Sequence, residues 1–147
     1  MTDANDPTET LDAATVAARI RGGHTLERLD LRGLDLRRAR LGGGVFQEVD
    51  LRGAVLAEAD LPESVFIRCR FDDADLRGAN LHLAVFQGTS LARARLDGAR
   101  LTSALLDHCE APGARFDGAD LRIAKLTATA LDEASLVGAS LERIVLL

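Results

Sequence analysis

Tryptophan and tyrosine are missing from this 147-residue chain, and its five phenylalanines make up the whole aromatic share of 3%. Proteins that bind nucleic acid by stacking bases need more aromatic rings than that, and enzyme cores ordinarily lean on them. Lysine is almost missing too, with Lys125 alone against seventeen arginines. Basic residues fall short of acidic ones, 18 to 23, for a formal charge of −5. That balance argues against polyanion binding through phosphate neutralisation. Two cysteines make no disulfide framework. No apolar run approaches the roughly 18 residues of a membrane span. The acidic start, Met1 to Pro7, lacks the basic and apolar regions of a signal peptide. The expectation is a cytoplasmic protein with no membrane attachment and no direct nucleic-acid binding.

What is present is a register. Counting every fifth residue from Leu26 to Leu146 gives 25 positions, of which 24 are Leu or Phe, with Ala111 the exception. Two residues before each centre the side chain is usually small, as at Ala54, Ala59, Ala74, Ala79, Ala94 and Ala99. Two residues after it glycine is frequent, as at Gly33, Gly53, Gly78, Gly98, Gly118 and Gly138. A period of five fits neither the 3.6 of a helix nor the 2.0 of a strand. It describes a chain that turns a corner every five residues, with glycine where the corner needs a permissive backbone.

A second period sets the size of one turn. Val45-Phe46, Val65-Phe66, Val85-Phe86, Leu105-Leu106 and Val145-Leu146 recur at multiples of 20. An inward column that avoids alanine, Leu29, Val49, Cys69, Thr89, Cys109 and Thr129, repeats at the same interval. The columns Ala39 to Ala139 and Ala54 to Ala134 are almost pure alanine. Four pentapeptides therefore make one square coil, and residue i lies over i+20. About six coils at a strand spacing of about 4.8 Å give a rod roughly 29 Å long.

Ala74-Asp75-Leu76-Arg77-Gly78, Ala119-Asp120-Leu121-Arg122 and Ala79-Asn80-Leu81 match the A(D/N)LXX signature, and on these residues the chain resembles the pentapeptide repeat family. The resemblance covers about residues 24 to 147. It implies an all-β solenoid, a right-handed quadrilateral β-helix, and a mostly non-enzymatic role. It also implies an alternative function. The best-known members resemble B-DNA in shape and charge and bind type II topoisomerases such as DNA gyrase, giving quinolone or toxin protection.

Residues 1–23 stand outside the repeat. Asp6-Pro7-Thr8-Glu9 reads as an N-cap, an N1 proline and a capping-box acid, and Gly22-Gly23 as a stop. Ala13, Val16, Ala17 and Ile20 share one face of the intervening segment. The spacing predicts a capping helix over residues 7 to 21 that covers the open first coil.

The pattern offers no seat for catalysis. His24, His82 and His108 fall on different sides of the square. Cys69 and Cys109 share a column two coils apart, about 9.6 Å at the strand spacing, beyond the roughly 7 Å limit for a disulfide. No serine has a base beside it, and the glycines belong to corners rather than to a phosphate loop. The expectation is no enzyme, no catalytic residue, no cofactor and no metal.

Opposite charges flank the inward Leu in Asp30-Leu31-Arg32, Asp35-Leu36-Arg37, Asp50-Leu51-Arg52, Asp75-Leu76-Arg77 and Asp120-Leu121-Arg122. The order reverses in Arg70-Phe71-Asp72, Arg95-Leu96-Asp97 and Arg115-Phe116-Asp117. Residues 24 to 147 hold 19 acids and 16 bases, a net of −3. A rod imitating DNA, which carries one charge per about 1.7 Å of axis, would need well beyond −10.

Apolar residues nonetheless point outward along one side: Val45, Val65, Val85 and Leu105, then Lys125 and Val145, with Ile67 beside them. The final run, Ile144, Val145, Leu146 and Leu147, brings no polar cap to the last coil. Such patches are uncommon on monomers. The expected function is a protein–protein interaction scaffold that forms a homodimer and binds an unknown protein partner. Residues 144–147 are the first candidate dimer surface and the valine stripe the second.

Overall fold

A computed structural model describes residues 11–147. Helix α1 spans Ala13–Arg21, later than the spacing predicts. Its cap is Asp12, whose extended backbone lets the side chain accept the Thr15 N–H at 2.8 Å. The expected cap and capping box at residues 6–9 lie outside the described residues. The helix ends as expected. Gly23, at φ 76°, sends its N–H to the Ile20 carbonyl, and His24 sends its own to Arg19, the paired bonds of a Schellman stop. Val16 and Ala17 join the core below them, with Ala13 and Ile20 packed alongside.

Beyond α1 the chain is a parallel β-solenoid of about six turns. One side of each coil is a short strand: β1 (Leu26–Glu27), β2 (Val45–Gln47), β3 (Val65–Ile67), β4 (Val85–Gln87), β5 (Leu105–Asp107), β6 (Lys125–Thr127) and β7 (Val145–Leu146). They form one sheet in sequence order, all pairs parallel. The register is the predicted interval of 20, Phe46 on Phe66 on Phe86. The other three sides are held by single bridges with the same offset, such as Asp30 on Asp50, Asp35 on Val55 and Arg40 on Asp60.

The five-residue period has a backbone cause. The residue two places after each centre takes a positive φ, whether glycine (Gly53, 65°) or not (Glu58, 58°; Ile123, 62°). At three corners of a coil the N–H three residues after the centre returns to the centre's carbonyl, as in Ala54 to Leu51 and Ala59 to Leu56, both at 3.0 Å. These are type II turns, which need φ above zero at their third residue.

Centres point inward and are buried from Leu26 to Leu126. Phe46, Phe66 and Phe86 stack with ring centroids 4.9 and 4.8 Å apart, the distance between coils. Phe71 meets Phe66 edge-on at 5.0 Å. Ala111, the exception among the centres, leaves room that either a neighbouring coil or a bulge at residues 111–113 would have to take up; it is fully buried and there is no bulge. Its N–H reaches Ala130 at 2.9 Å and that of Gly113 reaches Asp132 at 2.8 Å, so the ladder runs on unbroken. Phe116, larger than the leucines elsewhere in its column, stands at the next centre of the same coil.

Candidate interaction surfaces

The corner after each strand differs from the other three, and this explains the column that avoids alanine. Among the described residues it lacks the backbone turn bond, so a side chain from the next coil, 23 residues on, takes the strand-centre carbonyl instead. The Cys69 thiol donates to Phe46 O at 3.3 Å and the Thr89 hydroxyl to Phe66 O at 3.3 Å. Cys109 donates to Phe86 O at 3.4 Å and Thr129 to Leu106 O at 3.1 Å. The threonine oxygens also accept the N–H groups of Cys69 (3.2 Å) and Cys109 (3.4 Å). Both cysteines are buried and free, and burial pushes their thiols up to about 11. At that value the reactive thiolate is scarce near neutral pH.

The histidines stand apart from one another in the fold. His82 Nδ1 lies 2.7 Å from Thr102 Oγ1, while His108 Nδ1 lies 3.0 Å from Asp107. Among the described residues no group of three or more His, Cys, Asp or Glu is placed to hold a metal ion. No helix there is long and apolar enough to cross a membrane.

Most of the surface charge is spent within the molecule. In each Asp-Leu-Arg unit the aspartate accepts the arginine's own backbone N–H and, through its two oxygens, the Nε and Nη2 donors on one edge of its guanidinium. For Asp35 and Arg37 the bonds are 3.1 Å to N, 3.0 Å to Nε and 2.6 Å to Nη2. The guanidinium bond, helped by the backbone N–H, holds Asp30 and Asp35 at about 2 and keeps Asp50, Asp75 and Asp120 below the ordinary range. The reversed units do not fork. Arg70–Asp72 and Arg95–Asp97 close only to 3.6 and 3.8 Å, because a carboxylate can cap an N–H two residues ahead of it but not behind. Between coils Arg38 reaches Glu58 at 2.8 Å, Arg68 reaches Glu48 at 3.0 Å and Arg93 reaches Asp73 at 2.9 Å.

Two apolar surfaces remain. The register lines up Val45, Val65, Val85, Leu105, Lys125 and Val145 on the outer sheet face. The first four are half-buried and Lys125 is exposed. Ile67 lies between Gln47 and Gln87 in the next row. Two residues missed in the sequence, Leu83 (44% exposed) and Ile123 (55%), project from the adjoining corner. The signal was available, since both occupy a corner position where glycine is common.

The second surface is the last coil. Ile144 is half-buried, while Val145, Leu146 and Leu147 are exposed by 43, 63 and 72%. Leu126, Leu131, Leu136, Leu141, Ile144 and Leu146 line a wholly apolar hollow of about 60 Å³ that opens on this end.

Four-cornered coils stacked in parallel, with a helix on the first, define a β-solenoid that displays surfaces rather than enclosing a pocket. Its repeats match the pentapeptide repeats family model in eight copies over residues 45–82 and 84–122. The chain belongs to that family. Similar solved structures include trypsin-treated QnrB1, a plasmid-mediated fluoroquinolone resistance protein. It is 21% identical over 84% of this chain and 80% of that one, with a TM-score of 0.49. Another is the pentapeptide repeat protein Rfr23 from the cyanobacterium Cyanothece 51142, 26% identical over 91% and 99%, with a TM-score of 0.42. Comparison with curated proteins found no match.

Proposed function

We propose that this protein is a non-enzymatic, cytoplasmic interaction scaffold that works as a homodimer joined through its last coil. The observation that carries this reading is the contrast between a charged surface that pairs with itself and an end where the apolar core lies open. A solenoid terminus bares unpaired strand groups and a cross-section of its core. Helix α1 covers one end of the rod. Two copies of the other end, related by a two-fold axis, would cover each other, and isologous pairing of this kind is the commonest oligomer geometry. Light scattering tests it. Ile144→Asp combined with Leu146→Asp gives a monomer if the end is the interface. A dimer that survives those changes and falls apart on Val65→Asp moves the interface to the sheet face.

The alternative, a DNA-mimicking binder of gyrase, needs an anionic field, and the Asp-Leu-Arg forks cancel that field at its source. The protein is therefore expected to inhibit gyrase supercoiling weakly or not at all. Potent inhibition at stoichiometric protein would promote the mimic reading and demote the scaffold.

A further inference from the structure

We propose that the outer face of the β1–β7 sheet is a second self-association surface, on which another copy of this chain lies with its rod antiparallel. This goes beyond the end-on dimer and does not depend on it.

The spacing selects the occupant. Val45, Val65, Val85 and Leu105 stand one per coil in strict register, about 4.8 Å apart. A helix laid along them would offer contacts about 4.5 or 6.0 Å apart, from steps of three or four residues, and would drift out of phase. A second copy repeats the same interval. Two such faces can also pack as aligned sheets about 10 Å apart.

Charge selects the direction. Lys125 sits in the same row, in register between Leu105 and Val145. Parallel rods would set Lys125 against Lys125, a like-charge contact that opposes pairing. Antiparallel rods, with the two-fold between the Val65 and Val85 rungs, set Val65 on Val85 and Val45 on Leu105. Lys125 then lies over Thr25. On one flank Glu48 comes opposite His108, and Gln47 opposite Asp107. On the other, Ile123 and Ser103 come opposite Gly23 and Gly43, where nothing lies within 4 Å of the site a Cβ would occupy. The mismatches are Glu63 opposite Leu83 and Ile67 opposite Gln87. The face measures roughly 29 by 15 Å from the strand and coil spacings. That is well under the ~800 Å² per partner of a stable complex, so the pair is weak and concentration-dependent. Its two-fold crosses the rod at mid-height and the end-on two-fold crosses at the tip. Used together, the two contacts build an open ribbon instead of a closed tetramer.

Pulsed EPR on a single label separates these arrangements. Arg28→Cys, whose parent side chain is 76% exposed, takes a nitroxide while buried Cys69 and Cys109 do not. In an Ile144→Asp, Leu146→Asp background end-on pairing is suppressed. Five rungs plus the sheet gap then place the two labels about 26 Å apart in the antiparallel pair, against about 18 Å for parallel rods, whose two-fold carries the label to the opposite flank of the face. The end-on dimer would give about 60 Å. The expected result is the 26 Å distance in concentrated samples, abolished by Val65→Asp with the circular dichroism unchanged. Lys125→Val should strengthen pairing and admit the short distance. If the background variant fails to fold, the unaltered chain carrying the label should show the 26 Å distance beside any long one. No intermolecular distance, or only the distances of about 18 or 60 Å, overturns the proposal.

Discussion

Thr89→Val replaces one buried hydroxyl with a methyl group and leaves shape nearly unchanged. In the native chain that hydroxyl accepts the Cys69 N–H at 3.2 Å and serves the Phe66 and Gln87 carbonyls at 3.3 and 3.2 Å. Thr89 is 1% exposed, so water cannot replace it. Stranding a buried donor and a buried acceptor costs about 1 to 3 kcal/mol each. The added methyl returns at most about 0.8 kcal/mol. The net expectation is a loss of about 1 to 5 kcal/mol, read as a lower urea midpoint. Thr89→Ser, which keeps the oxygen, should lose much less. Hydrogen exchange gives the local reading, because the Cys69 amide should lose protection in the valine variant. If the valine variant matches or exceeds the parent in stability, and the Cys69 amide stays protected, the post-strand corner does not depend on this ladder.

Ala111→Leu should destabilise by about 1 to 3 kcal/mol through overpacking, since the site is fully buried beside Phe116's position in an unbroken ladder. Unchanged thermal unfolding and structure would mean that the side chain does not face a filled core. Ile123→Gly should stabilise by about 0.5 to 1 kcal/mol. A branched residue at φ 62° pays about 1 to 2 kcal/mol for the left-handed conformation, while glycine's extra chain entropy takes back about 0.5 to 1. Asp30 and Asp35, held at about 2 against an ordinary 3.8, contribute stability that is complete above 3.8 and lost as pH falls through 2. Replacing both with Asn should flatten the acid limb of the stability profile between those values, and an unaltered limb would mean that the forks add nothing.

The architecture was legible because its two periods are enforced by backbone geometry. A left-handed residue two places after every centre makes the corner recur at five, and the coil-to-coil ladder makes the column recur at 20. Glycine at Gly53 or Gly78 advertises such a corner, whereas Leu83 and Ile123 hold the equivalent position at another corner in a conformation their side chains disfavour, so their place in the pentapeptide, and not their residue type, is what signals their exposure. The column from Val49 to Thr129 stood out for avoiding alanine. Its task stayed hidden because the carbonyl it serves is left open only by the absence of a turn bond. The helix start was misplaced because Asp6-Pro7 carries a stronger local cap pattern than Asp12-Ala-Ala-Thr15. Charge pairs were visible as composition, yet only the fold separates Asp-Leu-Arg, which forks, from Arg-Leu-Asp, which does not.

The central claim is that association runs through apolar surface while the charges satisfy one another within each rod. Molar mass by light scattering, followed from low to high salt at fixed protein concentration, tests it most directly. Charged contacts weaken as the Debye length shrinks from about 30 Å at 0.01 M to about 3 Å at 1 M, whereas excluded salts such as sulfate reinforce apolar burial. The account predicts a dimer whose mass holds or rises with sodium sulfate. A dimer that dissociates into monomers as salt increases would contradict it.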